Sequence, residues 1–308
     1  MHVAIFADLE GTFGIWRMRQ CRTGTTQWQY GRECLTADVN AVVRGAHDGG
    51  ADRVTVVDTH DTGFNCIRPR LDRRAHYVGG HYIQPAFFGD IRGVDLVLYV
   101  AIHAASGTPD AFFPHTHYGV FGRLLIDDRP VCEMDLYGAV LGELGIPIGF
   151  VSGEAIAVDQ AREALPWVRG VDVDKREQTY IGDDASDTLR EGHRRLAIEA
   201  AEAVRSSASM QPLVREGPLR FEAVFRTEEL ARKFNTWDFD TEGATVRFGA
   251  ANMTEGFEAL NKLTFFPRRI YPYRRAILAA ARQFYAVRSR FFAPRPDRGG
   301  APDPGAGV

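Results

Sequence analysis

Short apolar runs recur along the first half of the 308-residue chain, and each one stops at a polar side chain. They are rich in β-branched residues and cover positions 2–8, 53–58, 94–102 and 146–151. Runs this short and this continuously apolar are typical of strands buried on both faces of a parallel sheet. The segments between and after them fit helices, at positions 32–48, 133–144, 155–165 and 185–208. The alternation predicts an α/β fold over residues 1–210, with a mostly parallel sheet covered by helices.

A break at residues 210–218, with two prolines and a glycine, separates this pattern from a different one. The segment after it alternates between strand and helix, at positions 219–225, 228–234, 244–248 and 253–265. It predicts a smaller α+β C-terminal domain over residues 218–266. Beyond this domain we expect a basic, aromatic, helical extension at residues 267–292. Because Pro, Gly and Ala dominate the last residues, we expect a disordered tail at residues 293–308.

Carboxylates and imidazoles stand where the predicted strands end. Asp8 and Glu10 follow the first strand, His60 the second and His103 the third, while Glu133 opens a helix. In open α/β sheets the working residues gather at the carboxyl edge of the strands, so these side chains should converge. Three carboxylates and two imidazoles suit zinc, manganese or cobalt, and a bridging Asp8 would allow two metals about 3.5–4 Å apart. The alternative is a metal-free pocket for a phosphate or a substrate carboxylate.

The formal net charge is −3, but charged residues are unevenly distributed along the chain. Residues 262–295 hold nine basic and no acidic residues, whereas residues 1–261 carry a net charge of −11. Arginines interleaved with aromatic residues could contact nucleic acid, an anionic membrane surface or an acidic partner. We favour a helix docked on the acidic body of its own or a neighbouring subunit, and we expect no nucleic-acid partner.

Composition and cysteine usage restrict the class of protein. The chain is 45% hydrophobic and 25% charged, which excludes a disordered polypeptide. Its four cysteines are scattered, and free thiols fit a reducing cytoplasm. The N-terminus shows no basic leader, and no apolar stretch approaches about 18 residues. We therefore expect a cytoplasmic protein without a membrane span.

Four segments together resemble the DppA-type D-aminopeptidases, a family of binuclear zinc metallopeptidases. The resemblance is carried by residues 7–11 (ADLEG), 58–60 (DTH), 102–104 (IHA) and 126–133 (IDDRPVCE). It extends from residue 2 to about 265 and leaves only the tail outside. It implies an α/β metal-binding domain with a smaller C-terminal domain, a self-compartmentalising homo-oligomeric ring, and cleavage of N-terminal residues from short peptides that contain D-amino acids.

The resemblance also implies roles for individual residues. Two zinc ions per subunit would be held by five ligands, with Asp8 bridging: Asp8, Glu10, His60, His103 and Glu133. The family's catalytic histidine corresponds to His115, with His117 as the alternative because the preceding segment contains one insertion. The chain departs from the family at Glu154, where Gly-Asp-Asp is common, and Lys175 corresponds to a family lysine only uncertainly.

Two other functions remain open on these residues. The same metals could serve an amidohydrolase or a phosphoesterase that acts on a specialised metabolite. A non-catalytic oligomeric binding protein could also have inherited the fold. All five ligand candidates are intact, which argues against loss of catalysis.

Overall fold

The computed structural model describes residues 1–80 and 93–291. Within these ranges the strands are β1 (His2–Ala7), β2 (Arg53–Asp58), β3 (Ala75–Val78), β4 (Leu96–Ile102), β5 (Phe121–Ile126), β6 (Arg129–Pro130), β7 (Ile148–Gly153), β8 (Arg169–Asp172), β9 (Leu219–Phe225), β10 (Asp240–Glu242) and β11 (Thr245–Ala250). The α-helices are α1 (Thr26–Asp48), α2 (Glu133–Glu143), α3 (Ala155–Ala164), α4 (Ala185–Arg205), α5 (Glu228–Phe234), α6 (Met253–Thr264) and α7 (Arg274–Phe291).

The four strands that the apolar runs predict form the centre of a parallel sheet. Over the described part of the chain this sheet has six strands in the order β3-β2-β1-β4-β7-β8. Strand β1 pairs with β2 on one side and β4 on the other, both in parallel. The edge strands β3 and β8 are four residues long and partly exposed, which explains why no continuous apolar run marks them. The predicted α/β architecture is confirmed.

Side chains of β1 alternate between two buried layers. Val3 and Ile5 pack in the layer formed with α1 and α4. Ala4 and Phe6 pack on the opposite face, in the layer formed with α2, α3 and α6. Burying one large aliphatic or aromatic side chain contributes roughly 1.5–3 kcal/mol, so the central strands are firmly held. Their carboxyl ends are therefore a rigid support for the residues that follow them.

Helix α1 begins at Thr26, six residues before the predicted start. Thr25 is the N-cap, because its side-chain oxygen accepts a hydrogen bond from the Trp28 amide at 3.0 Å. A cap of this kind satisfies an otherwise unpaired donor of the first turn. The early turns are fixed by this cap and by the bond from Trp28 Nε1 to Asn65 Oδ1 at 2.9 Å, a tertiary contact that no local pattern reveals.

A second, antiparallel sheet lies beside the first, with the order β10-β11-β9-β5-β6 in the described residues. Strand β5 pairs with β9 in a register that places Leu124 opposite Ala223. The smaller sheet thus includes residues 121–130, which come long before the predicted break, as well as residues from the 218–266 segment. The boundary at residues 210–218 stays a prediction.

The basic extension contains α7, whose C-terminal half contacts the start of α1 and the loop before it. The Arg32 side chain donates to the Ser289 carbonyl at 3.5 Å, and the Arg288 guanidinium lies against Gly24. Residues 292–308, including the tail predicted to be disordered, lie outside the described residues. Among the helices that are described, none is both long and apolar enough to cross a membrane.

Candidate metal centre

The predicted ligands lie together at the carboxyl edge of the parallel sheet. Asp8 and Glu10 follow β1, His60 follows β2 and His103 follows β4. Strand order reverses between β1 and β4, since β2 and β3 lie on one side and β7 and β8 on the other. A crevice at such a reversal is the usual ligand site of an open α/β sheet. The sequence rule therefore leads to the observed location.

A close approach between the loop after β1 and the end of β4 brings Asp8 and Glu10 toward His103. The Gly11 amide donates to the Ala101 carbonyl at 2.9 Å. A Cβ atom at residue 11 would lie 2.3 Å from the Ile102 carbonyl oxygen, so only glycine allows this contact. The segment that carries Asp8 and Glu10 is thus fixed against the end of β4.

His60 faces two carboxylates with a single ring nitrogen. Its Nδ1 lies 3.2 Å from Asp8 Oδ1 and 3.0 Å from Glu10 Oε2. Its Nε2 lies 2.9 Å from the Cys21 carbonyl oxygen and must donate there, because a carbonyl only accepts. Burial lowers the pKa of His60, but Glu10 and Asp8 outweigh burial and raise it well above its ordinary value. Nδ1 therefore either carries a second proton or binds a cation.

His103 occupies the equivalent position on the other side of Asp8. Its Nε2 lies 3.4 Å from Asp8 Oδ2 and 3.6 Å from Glu133 Oε1. Its Nδ1 lies 3.2 Å from the Ala104 carbonyl oxygen, which orients the ring. Asp8 thus presents one carboxylate oxygen to His60 and the other to His103. This is the arrangement expected of a ligand shared by two cations.

The cluster is buried and partly unsatisfied, which tests whether it fits a metal. Asp8 is 3% exposed, Glu10 1% and His103 3%. Within the described residues, Asp8 Oδ2, Glu10 Oε1 and His103 Nε2 have no hydrogen-bond partner. Burial and the Glu10 charge raise the pKa of Asp8 to about 7. Buried polar atoms without partners are costly, so these residues fit a bound cation better than an empty pocket.

Glu133 reaches the cluster from the first turn of α2. Cys132 precedes it as the N-cap, and its amide donates to Asp135 Oδ2 at 3.0 Å. The His117 amide donates to Glu133 Oε1 at 2.7 Å. This bond ties the N-terminus of α2 to the segment that carries His115 and His117. Burial raises the pKa of Glu133, but the neighbouring His103 outweighs burial and lowers it to about 2. Glu133 is therefore an ionised ligand candidate.

Potential ligand atoms fall into two overlapping groups in the described chain. Asp8, Glu10 and His103 form one, and His103, His115 and Glu133 form the other, with the atoms of each group within 4.8 Å of one another. His115, expected to be catalytic, thus stands close enough to be a ligand as well. Its Nε2 lies 3.7 Å from Glu133 Oε1.

The two candidate catalytic histidines have different surroundings. The His115 ring stacks on His103 with centroids 3.9 Å apart, and its Nδ1 lies 3.0 Å from the Phe113 carbonyl oxygen. His117 points toward α6, with its Nε2 3.1 Å from Thr264 Oγ1. Burial lowers the pKa of His117 to about 4. His115 is the imidazole that lies within the cluster.

A cavity of about 610 Å³ opens from the ligand cluster. This volume is within the range of about 300–1,000 Å³ that is common for small-ligand pockets. One apolar and four aromatic side chains form part of its wall: Met18, Phe113, Tyr118, Tyr137 and Phe265. The cavity can hold a small ligand directly against the cluster.

Two residues outside the predicted ligand set hold the loops of the site. Glu154 follows β7 and accepts hydrogen bonds from the Phe112 amide at 2.7 Å and the Ala104 amide at 3.4 Å. Lys175 donates to the Thr12 carbonyl at 2.7 Å, and burial lowers its pKa to about 8. In the sequence, Glu154 stands out only as a departure from the family pattern, and Lys175 only as an uncertain correspondence to a family lysine. The strand-end rule, applied to β7, would have singled out Glu154.

Comparison with known proteins places the chain in a family. Residues 1–262 match the peptidase family M55, the D-aminopeptidases. The D-aminopeptidase of Bacillus subtilis (strain 168) is 28% identical over an alignment of 276 residues that covers 86% of this chain and 97% of that protein. The fold is similar to that of the Zn-dependent D-aminopeptidase DppA from Bacillus subtilis, a self-compartmentalizing protease, with a TM-score of 0.76 and 23% identity over 87% of this chain and 98% of that chain. Because the family match spans most of its length, the chain belongs to the D-aminopeptidase family of peptidases.

Proposed function

We propose that the protein is a zinc-dependent aminopeptidase that hydrolyses the N-terminal peptide bond of short peptides containing D-amino acids. One observation carries the proposal: Asp8 faces His60 with one oxygen and His103 with the other, at 3.2 and 3.4 Å. A carboxylate in this position can bridge two metal ions. The Zn-dependent D-aminopeptidase with the similar fold and the curated D-aminopeptidase relative support zinc and the peptide substrate.

We assign the ligands to two zinc sites per subunit. One site would use Asp8, Glu10 and His60, and the other Asp8, His103 and Glu133. Mixed oxygen and nitrogen donors, three per ion, match the ligand number of catalytic zinc sites. When bound, the zinc pair would supply Lewis-acid polarisation of the scissile carbonyl and activation of the attacking water.

His115 is the residue that we propose to move the proton. Its Nδ1 is committed to the Phe113 carbonyl, which leaves Nε2 as the free ring nitrogen at the cluster. Burial and the neighbouring His103 lower the pKa of His115, so the imidazole is neutral and can accept a proton. It would take a proton at Nε2 during attack and return it to the leaving amine, as a general base and then a general acid.

Assembly and location extend this proposal. The structural neighbour is described as self-compartmentalizing, and we propose that this chain likewise forms a homo-oligomeric ring. Its substrates would then be small enough to enter an enclosed chamber. The cytoplasmic location stays a prediction from cysteine usage.

Metal analysis combined with paired dipeptides tests the function. We expect about two zinc ions per chain, loss of hydrolysis on chelation, and recovery on adding zinc. We expect faster release of the first residue from D-Ala-Gly than from L-Ala-Gly. Absence of stoichiometric transition metal would contradict the proposal. Release of phosphate from phosphoesters by the same preparation, without peptide cleavage, would favour the phosphoesterase alternative.

A second prediction concerns Glu154, which we regard as a positioning residue for the His115 loop. Glu154→Ala removes the acceptor for the Phe112 and Ala104 amides and should lower kcat about 10–100-fold while zinc content stays constant, as for other residues that orient a metal site. Glu154→Gln keeps one acceptor and should recover part of the loss. The matched control is Glu163→Ala on the exposed face of α3. Equal kcat in Glu154→Ala and the control would show that Glu154 does not position the loop.

A further inference from the structure

Two arginines at the cavity wall have no role in the metal centre. Arg19 and Arg22 line the cavity beside Cys21, whose carbonyl accepts the bond from His60. Both side chains are exposed, and in the described part of the chain neither forms an ion pair. The neighbouring Arg17, by contrast, pairs with Glu177. The cavity wall therefore carries two guanidinium groups that are in no ion pair within the described residues.

The backbone that carries these arginines is rigidly fixed. Gln20 is 4% exposed, and its Oε1 accepts the amides of Trp16 and Arg17 at 2.9 and 2.7 Å. Thr25 Oγ1 lies within hydrogen-bond distance of the carbonyl oxygens of both Arg19 and Arg22, at 2.7 and 3.0 Å. These bonds fix the backbone from which the two guanidinium groups extend, and a fixed backbone lowers the cost of ordering the side chains around a ligand.

The charge pattern of the cavity matches a short peptide. It is lined by the carboxylates of Asp8, Glu10 and Glu133 and by Arg19 and Arg22; Asp8 and Glu10 are buried, whereas both arginines are exposed. Asp61 also lines the cavity, and its carboxylate accepts a hydrogen bond from the Thr23 hydroxyl. A dipeptide or tripeptide carries its C-terminal carboxylate about one or two residues from the scissile bond, at about 3.3–3.6 Å per residue. Guanidinium groups bind carboxylates with paired, directional hydrogen bonds.

We propose that Arg19 and Arg22 bind the C-terminal carboxylate of the substrate and thereby select very short peptides with a free C-terminus. The proposal rests on the proposed peptidase function and adds a determinant of substrate length. The two arginines act on binding, because the carboxylate is remote from the reacting carbonyl. Their removal should therefore raise KM and leave kcat within about twofold, as for an interaction equally strong in the ground and transition states.

The experiment compares D-Ala-Gly with its C-terminal amide, D-Ala-Gly-NH2, using the zinc-loaded full chain. For the unmodified enzyme we expect KM for the free acid to be roughly tenfold to thirtyfold lower than for the amide, the effect of a charge-assisted hydrogen bond. The double variant Arg19→Ala/Arg22→Ala should raise KM for the acid to that of the amide and leave the amide unchanged. Arg17→Ala is the matched control, since Arg17 belongs to the same segment and does not line the cavity.

Each other outcome contradicts the inference in a recognisable way. If the unmodified enzyme hydrolyses neither peptide, the proposed peptidase function is itself contradicted. If the enzyme is active but has the same KM for D-Ala-Gly and D-Ala-Gly-NH2, only the proposal that the arginines bind the carboxylate is contradicted. A double variant that raises KM for both peptides equally would indicate a structural role for the segment. A double variant with altered oligomer size in light scattering would place the arginines at a subunit contact.

Discussion

Asp8→Asn should remove both zinc ions together and lower kcat/KM by about a thousandfold or more. Asp8 is the residue whose two oxygens face His60 and His103 separately. Without it, each proposed site retains only two protein ligands, fewer than the three of ordinary catalytic zinc sites. A thousandfold loss corresponds to about 4 kcal/mol of transition-state stabilisation, the size expected when metal chemistry is removed.

The same variant should respond differently to zinc in a thermal melt. Ligand bound only to the folded state stabilises it, by about 2.7 kcal/mol at a hundred times Kd, so zinc should raise the Tm of the unmodified protein. Asp8→Asn should show little shift. In the presence of chelator we expect the substitution to stabilise the metal-free protein. It removes one of the three buried carboxylates, Asp8, Glu10 and Glu133, which repel one another when no metal is bound. Chelated Asp8→Asn should then melt at or above the chelated unmodified protein.

Two further variants sharpen the measurement of metal content. Glu10→Gln affects only the site that contains His60, so it should retain about one zinc ion per chain. Asp38→Asn is the matched control, because Asp38 is a buried carboxylate bonded to the Phe13 amide and to His193, outside the metal centre. It should lower stability and keep both ions. An Asp8→Asn protein that still holds two zinc ions would contradict the bridging assignment.

The convergence of the candidate ligands at the strand ends could be predicted because two simple rules suffice. An apolar run identifies a buried strand, and parallel pairing brings the ends of successive strands to one edge. Asp8, Glu10, His60 and His103 lie together for this reason. Neither rule needs to know which distant segments pair, so the location of the centre follows from the order of strand and helix alone.

The remaining parts of the site depend on contacts between distant segments. Glu154 holds amides that lie 42 and 50 residues earlier in the chain. Strand β5 pairs with β9, about a hundred residues later, and this pairing holds the segment between His117 and Glu133. Phe121, Leu124 and Ile126 of β5 are buried in the core, whereas the residues between them are not. Long-range antiparallel pairing leaves no local periodic signal strong enough to specify its partner, so the sequence pattern does not predict a strand there.

The choice between His115 and His117 also depends on tertiary structure. In sequence they are two positions apart and either could enter the site. In the structure His117 has a positive φ of 64°, and its ring lies between Phe257 and Phe265. His115 instead stacks on His103. The backbone turn at residue 117 separates two side chains that an extended segment would place on the same side.

His115→Ala should therefore lower kcat by about 10² to 10⁴, the usual contribution of a general acid or base, with both zinc ions retained. His117→Ala should reduce kcat far less and should lower stability, because its imidazole is bonded to Thr264 and packed against two phenylalanines. The measurements are kcat, zinc per chain and Tm for both variants in parallel.

The zinc content of His115→Ala distinguishes a metal-ligand role of His115 from a role in proton transfer. His115 Nε2 lies near enough to Glu133 and His103 to act as a ligand, so loss of one zinc ion in His115→Ala would show a ligand role in place of proton transfer. Retention of both ions with lost turnover would leave proton transfer as its function. Unchanged kcat in His115→Ala together with a large loss in His117→Ala would transfer the catalytic role to His117. The expected pattern is a loss of kcat mainly in His115→Ala and a loss of stability mainly in His117→Ala. A general folding defect would lower both quantities in the same variant.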